Sequence, residues 1–310
     1  MQKLAIPENI LIGDMEKFQN ILYKLKQGGP SQLQVVTDFD YTLSTFWKSE
    51  NVRNPSSHGI LEQCKLFSKH YHDNASQLQK IYYPMEISTT LTREEKMEKM
   101  DEWWNKAHAL LIEEKVTKND IMEAVKDADV RLRPSTTNLI KHCVYHKIPV
   151  LVFSAGLADV LDALLEVKCG IKVEKNSGIE LISNKMVFNE KQELDHFSND
   201  LITSLTKNMR KMSYAHRLKN RPNIILMGDN IGDLDMSQGM EFTTRLTVGF
   251  LNDDIEERKQ QYVSNFDIVI VGDTDLDFVN TILEYISHDD ALPSIDESDE
   301  TIIELPATLG

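Results

Sequence analysis

The sequence predicts an open α/β sheet with helices on both faces and a helical domain inserted after the first strand. Five short apolar, β-branched runs recur along the 310 residues, each breaking into polar residues at or near its end. Helical stretches separate them, and a strand covered on both faces by helices is one whose residues can be apolar throughout. One gap is too long for this alternation. About 110 residues lie between the first run and the second, whereas a single βαβ crossover needs roughly 30.

In chain order, Met15, Phe18, Ile21, Leu22 and Leu25 recur at helical spacing until Gly28, Gly29 and Pro30 end the pattern. The first buried strand, 33–36, follows and runs into Asp38. Residues 46–132 hold few β-branched runs and long charged stretches such as 91–115, which predicts an almost wholly helical cap in the first βα connection. The core resumes with a helix over 134–147, a strand over 148–153 running into Ser154, and a helix over 157–168. Weak alternation over 171–189 predicts a strand or small hairpin beside the core. A helix over 191–219 leads to a strand at 223–227 and Asp229, then a strand at 245–250, a helix at 254–264, a strand at 267–271 and a helix at 275–287. The domains expected are a core of residues 1–45 and 133–288, a cap of 46–132, and an acidic, turn-prone, disordered tail of 289–310.

Charge narrows the partners. The 34 basic and 49 acidic residues give a formal net charge of −15, and the tail holds seven of the acids with no Lys or Arg. Affinity for phosphate polymers comes from counterions released around Lys and Arg, so neither nucleic-acid polymers nor anionic membranes are expected partners. Cys64, Cys143 and Cys169 lie far apart without a CxxC pair, which argues against a disulfide framework and fits a reducing compartment. No apolar run approaches the length of a membrane span, and the start lacks a signal-peptide pattern. The chain is expected to be cytoplasmic and monomeric. Among the histidines, His142 and His146 have metal-ligand spacing on a helix, but with no acidic neighbour in sequence they read as surface residues.

Ligands of open α/β sheets lie at the carboxyl ends of the strands. Asp38 and Asp40 end the first strand, Ser154 the second, and Asp229 and Asp233 the third, so carboxylates and a hydroxyl converge on one crevice. Carboxylates gathered this way need a counter-charge, and with oxygen ligands alone Mg2+ is the usual answer. A divalent ion beside an exposed carboxylate suits phosphoryl transfer, in which the carboxylate attacks phosphorus to give an aspartyl-phosphate. A second carboxylate two residues on lies on the other side of the extended chain. It can reach the leaving oxygen as an acid and then serve as base for water.

These motifs carry a resemblance. DFDYT, the serine of SAG and GDNIGD are similar to three motifs of the haloacid dehalogenase-like phosphatases, which implies a Rossmann-like parallel core. LQVVTDFDYTLS, YYPMEI, EWWNKAHALL, IPVLVFSAG, MGDNIGDLDM, GFLNDDIEER and FDIVIV resemble the type III cytosolic 5′-nucleotidases, over roughly residues 10–287. The resemblance implies that Asp38 is the nucleophile and Asp40 the proton donor. It implies Mg2+ held by Asp38, the Asp40 carbonyl and Asp229, and phosphate bound by Ser154, the amide of Ala155 and Lys207. Asp233 would orient metal-bound water or Lys207, and Thr42 completes the first signature. Glu86 matches the glutamate that accepts hydrogen bonds from the nucleotide base. Trp104 and Ala107 match the pair carried by the 7-methylguanosine phosphate-specific members, where pyrimidine-preferring members carry tyrosine and serine. Physical chemistry agrees with that subtype: N7-methylation makes guanine cationic, an indole face attracts it, and Glu86 adds negative charge. Trp103 and Trp104 are adjacent and project about 100° apart on a helix, so one is expected in the cleft. The expected substrate is a nucleoside 5′-monophosphate, 7-methyl-GMP first, with CMP and UMP also used. Rival readings are pyrimidine nucleotides alone, transfer of phosphate to a nucleoside acceptor, or a non-catalytic phospho-acceptor, the last disfavoured by Asp40.

Overall fold

The computed structural model describes residues 2–88, 90–198, 201–207, 221–288 and 301–305. Two short strands open the chain, β1 (Gln2–Ile6) and β2 (Ile10–Ile12), followed by α1 (Met15–Gln32) and β3 (Leu33–Thr37). Asp14 caps α1 by accepting from the Lys17 amide, and Gly29, at φ 62°, breaks it one turn before its end. Then come a hairpin, β4 (Trp47–Ser49) and β5 (Val52–Arg53), and four helices, α2 (Ser57–Glu62), α3 (Lys69–Glu86), α4 (Arg93–Glu113) and α5 (Lys118–Asp127). Thr92 with Glu95 and Thr117 with Asp120 form reciprocal capping boxes that fix where α4 and α5 start. The chain continues through α6 (Thr136–Tyr145), β6 (Val150–Leu157), α7 (Ala158–Leu164), β7 (Ile179–Asn184), β8 (Met186–Phe188) and β9 (Leu194–Phe197). It ends through β10 (Asn223–Gly228), a 3-10 helix (Ile231–Ser237), β11 (Thr244–Leu251), α8 (Ile255–Asn265), β12 (Ile268–Val271), α9 (Asp277–Ser287) and β13 (Thr301–Leu305).

Seven strands form one sheet in the order β2-β12-β11-β10-β3-β6-β7, all parallel except the edge strand β2. This is the open, mostly parallel sheet that the sequence predicts. From β3 the chain builds outward to β6 and β7, then returns to build β10, β11 and β12 on the other side. Its direction therefore reverses between β3 and β10, and a crevice opens there at the carboxyl ends of the strands. Val35, Val36, Val150, Val152, Ile225 and Met227 are sealed from solvent on both faces of the central strands, which is why those strands read as unbroken apolar runs.

Three expectations need correction. The helix foreseen over 191–219 is not there in its first part: Leu194–Phe197 pairs with Met186–Phe188 as an antiparallel hairpin. Residues 201–207 are irregular, and 208–220 lie outside the described residues. Leu194, buried at 3% exposure, is the inward residue of that strand. The tail was expected to be disordered, yet Thr301–Leu305 runs antiparallel to Gln2–Ile6 in a two-stranded sheet; 289–300 and 306–310 lie outside the described residues. TIIEL is apolar and β-branched in an otherwise acidic stretch, a local signal that the regional composition masked. Residues 46–132 also include the β4–β5 hairpin.

The connections that leave and re-enter the core are tied to each other. Ser44 bridges Leu132, the Thr45 amide donates to the Arg131 carbonyl at 3.1 Å, and the Arg133 amide donates to the Leu43 carbonyl at 2.8 Å. Asn54, buried, donates to the Thr45 and Arg131 carbonyls and accepts from the Arg131 amide.

Candidate active site

The end of β3 places Asp38 against the end of β10, where the Asp38 amide donates to the Met227 carbonyl at 3.0 Å. Carboxylate oxygens of Asp38, Asp229 and Asp233 all lie within 4.8 Å of one another. Asp233 reaches the cluster because the turn after β10 is tight: Asn230 caps the 3-10 helix and its amide donates to Asp233 Oδ2 at 3.0 Å. Gly228 permits this approach, since a Cβ there would meet the Asp233 Cβ at 2.4 Å. Lys207 enters from the irregular 201–207 segment, its Nζ 2.6 Å from Asp38 Oδ2 and 3.0 Å from Asp233 Oδ1.

Burial gives these charges their chemistry. Desolvation pushes the Asp38 carboxyl up to about 7, with Lys207 pulling it down and Asp233 pushing it further up. Asp229 is raised well above the carboxylate range by burial, then by Asp233 and Asp38. Burial alone would favour a neutral Lys207, but Asp233 and Asp38 outweigh it and hold the amine cationic beyond the ordinary lysine range. The donor set is all oxygen, with three carboxylates facing the ammonium of Lys207. It fits a hard divalent cation such as Mg2+. A stability consequence follows. Groups with raised folded-state values stabilise the fold most below the ordinary carboxylate value near 3.8, and that stabilisation is lost as pH rises through about 7. In thermal melts of EDTA-treated protein, added Mg2+ should raise Tm by a few degrees, and by more at about pH 7.5 than at about pH 5.5, where protons compete for the carboxylates. An equal or larger increment at the lower pH would contradict this.

Asp40 stands apart from that cluster. Its carboxylate accepts from the Ser57 amide at 3.1 Å and from the Ser57 hydroxyl at 3.1 Å, and burial pushes it up to about 6 while both bonds pull it down. Ser57, fully buried on the first turn of α2, thereby ties the inserted helices to the DFDYT loop. Gly156 must be glycine for the same contact, because a Cβ would meet Ser57 Oγ at 2.0 Å. Ser154, almost fully buried, accepts from the Gly156 amide at 3.0 Å. The Ala155 carbonyl accepts from Asn184 at 2.8 Å and from the Trp104 indole N–H at 3.2 Å.

The two tryptophans diverge. Trp103 stacks on Tyr82 at 6.0 Å and 14°, while Trp104 turns toward the Ala155 loop and meets His58 edge-on at 5.8 Å. Ala107 lies half-buried one turn beyond them on α4. Glu86, the last residue of α3, accepts from the Ser204 hydroxyl at 3.0 Å, and burial raises its carboxyl despite that bond. Glu86 is thereby joined to the segment that delivers Lys207. Thr42 contributes through its main chain: its carbonyl accepts from Arg133 Nε at 2.7 Å, and its buried hydroxyl has no partner among the described residues.

Sequence reasoning missed the residues that hold this loop and its neighbours. Arg133, fully buried, donates to the carbonyls of Thr42, Tyr41 and Thr274 and to Asn252 Oδ1, and pairs with Asp273 at 3.3 Å. Asn184 joins the Ala155 loop to Ile202 by bonds in both directions. Tyr262 donates its hydroxyl to the Asp229 carbonyl. None belongs to the motifs read from the sequence, although Asn184 ends β7, and an arginine or asparagine far away in sequence announces no partner.

Comparison with known proteins identifies the family. The family model described as "Pyrimidine 5′-nucleotidase" matches residues 41–287. The 7-methylguanosine phosphate-specific 5′-nucleotidases of Rattus norvegicus and Homo sapiens are each 37% identical over 281 residues, 89% of this chain and 92% of theirs. The crystal structure of cytosolic 5′-nucleotidase IIIB bound to cytidine superposes with a TM-score of 0.79 at 28% identity, covering 90% of this chain and 94% of that one. A carboxylate cluster at the switch point of a haloacid dehalogenase-like core and a match over most of the chain agree, and the chain belongs to the pyrimidine 5′-nucleotidase family of enzymes.

Proposed function

We propose that the chain is a Mg2+-dependent 5′-nucleotidase that hydrolyses nucleoside 5′-monophosphates, 7-methyl-GMP first and CMP and UMP also, through an aspartyl-phosphate on Asp38. The observation that supports it most is the division of labour among carboxylates: Asp38 lies 2.6 Å from the Lys207 ammonium, while Asp40 is held apart by Ser57. Asp38 attacks phosphorus as the bond to the nucleoside 5′-oxygen breaks, and Asp40 gives that oxygen its proton. Asp40 then takes a proton from the water that attacks the aspartyl-phosphate, releasing phosphate and restoring Asp38. A carboxyl pushed up to about 6 exchanges protons readily near neutral pH. Ser154, the Ala155 amide and Lys207 bind the transferred phosphoryl oxygens. Asp38, Asp229 and the Asp40 carbonyl would hold Mg2+, whose charge offsets their repulsion of the substrate phosphate. Asp233 positions Lys207.

Residues 46–132 serve in this reading as a cap whose Glu86, Trp104 and Ala107 face the base. Trp104 can lay an indole over a cationic 7-methylguanine, Glu86 offers it a carboxylate, and Ala107 leaves room for a purine. The similarity to 7-methylguanosine phosphate-specific enzymes supports this choice. A second reading, pyrimidine nucleotides as the main substrates, is supported by the family description and by the cytidine-bound relative. Comparison of kcat/KM for 7-methyl-GMP, CMP, UMP, AMP and GMP decides between them. Trp104→Ala should raise KM for 7-methyl-GMP roughly tenfold, as the loss of about 1 to 2 kcal/mol of cation–π attraction requires, and should affect UMP less. An equal effect on both substrates would favour the pyrimidine reading. The cytosolic name of the structural relative and three buried free cysteines support a cytoplasmic location. Among the described residues, no helix is long and apolar enough to cross a membrane.

A further inference from the structure

α6 leads into β6 and α9 follows β12, so both helices run back against the strands. Their C-terminal ends therefore lie at the edge of the sheet opposite the carboxylate cluster. Three histidines meet there. His142, on α6, and His146, just past its end, stand one turn apart with ring centroids 4.4 Å apart. His288, just past α9, has its ring 5.6 Å from His146 and 6.4 Å from His142. We propose that His142, His146 and His288 form a second metal site, for a borderline d-block cation such as Zn2+, Ni2+ or Cu2+.

Geometry supports the site first. With a metal–nitrogen bond of 2.0–2.1 Å, two imidazoles sharing an ion place their ring centroids about 4.5 Å apart at a right angle and about 5.2 Å apart at a tetrahedral angle. His142 and His146 already stand at the right-angle spacing, whereas His288, at 5.6 and 6.4 Å, lies beyond the tetrahedral value and has to swing inward to complete the site. His142 is already oriented for the task. Its Nε2 is 3.0 Å from the Ser287 hydroxyl, a neutral group that an ion can displace, and the Leu283 backbone hydrogen-bonds the same ring. A backbone hydrogen bond to the ring nitrogen that does not take the metal is how metal-bound histidines are held in one tautomer. The nearby cation, Lys26 on α1, is engaged with the carbonyls of Tyr285 and His288. An all-nitrogen set selects against Mg2+ and Ca2+, so the two sites would take different metals. A bound ion would cross-link the ends of α6 and α9.

Calorimetric titration of the full chain with Zn2+, in saturating Mg2+ to occupy the carboxylate cluster, tests the proposal. One site per chain with a dissociation constant in the micromolar range or below is expected. His146→Ala and His288→Gln should each weaken it roughly tenfold or more, with metal-free Tm and Mg2+-supported phosphate release unchanged. Electron paramagnetic resonance of bound Cu2+ should show coupling to imidazole nitrogens that both variants reduce. Unchanged affinity in both variants, a Cu2+ signal with oxygen ligands alone, or no binding below about 1 mM would each overturn the site.

Discussion

Asp38→Asn is expected to reduce phosphate release from every nucleoside monophosphate by on the order of 10^4-fold or more, because an amide cannot form the aspartyl-phosphate and later steps have nothing to act on. The fold should survive. Asparagine keeps an oxygen to accept from the Phe39 amide, as Asp38 Oδ1 does at 2.7 Å. It also removes one of three crowded carboxylates, and Lys207 retains Asp233 at 3.0 Å. Metal-free melts should therefore show Tm unchanged or higher in the variant, alongside lost turnover in a phosphate-release assay. That combination separates a chemical role from a structural one. An inactive protein that is also strongly destabilised would leave Asp38 as a scaffold residue, and normal turnover would remove it from the mechanism.

Lys207→Ala should fail in both respects. Lys207 bridges Asp38 and Asp233 inside the protein, and removing one partner of a buried ion pair leaves charge uncompensated at a cost of about 3 to 5 kcal/mol. Catalysis should fall by roughly 10^2- to 10^3-fold, the usual loss when a donor to the developing charge is removed. Added Mg2+ should restore part of the stability, since a divalent ion offsets the same carboxylates, but little of the turnover. Paired denaturant titrations and steady-state rates with and without Mg2+ check this. Stability equal to that of the parent protein would show that Lys207 does not offset the carboxylates.

The sheet was legible because buried strands leave an unmistakable trace: LQVV, IPVLVF and NIILM can only be covered on both faces. The carboxylates were legible for a related reason, since each follows such a run directly and topology carries strand ends to one crevice. Lys207 stands outside that logic. It follows no strand, and its place beside Asp38 depends on an irregular segment held by Asn184 through Ile202. Arg133 and Ser57 were silent because their partners lie 91 and 17 residues away in sequence and are mostly main-chain carbonyls or a single carboxylate. The 194–197 strand was misread because four residues are too few to distinguish a strand period from a helical one. Strand β13 was hidden by the acidity around it. For Lys207, Arg133 and Ser57 the missing information was tertiary, a partner that no local pattern encodes.

The central claim is that Asp38 becomes phosphorylated during turnover. Mixing the Mg2+-loaded enzyme with nucleoside monophosphate labelled in its phosphate, quenching with acid within a turnover, and mapping the labelled peptide measures this directly. Label should be found on Asp38, be chased by unlabelled substrate, and be absent from the Asp38→Asn protein. Rapid phosphate release in the same mixture with no label on Asp38 at any time, or with label on another residue, would contradict the account.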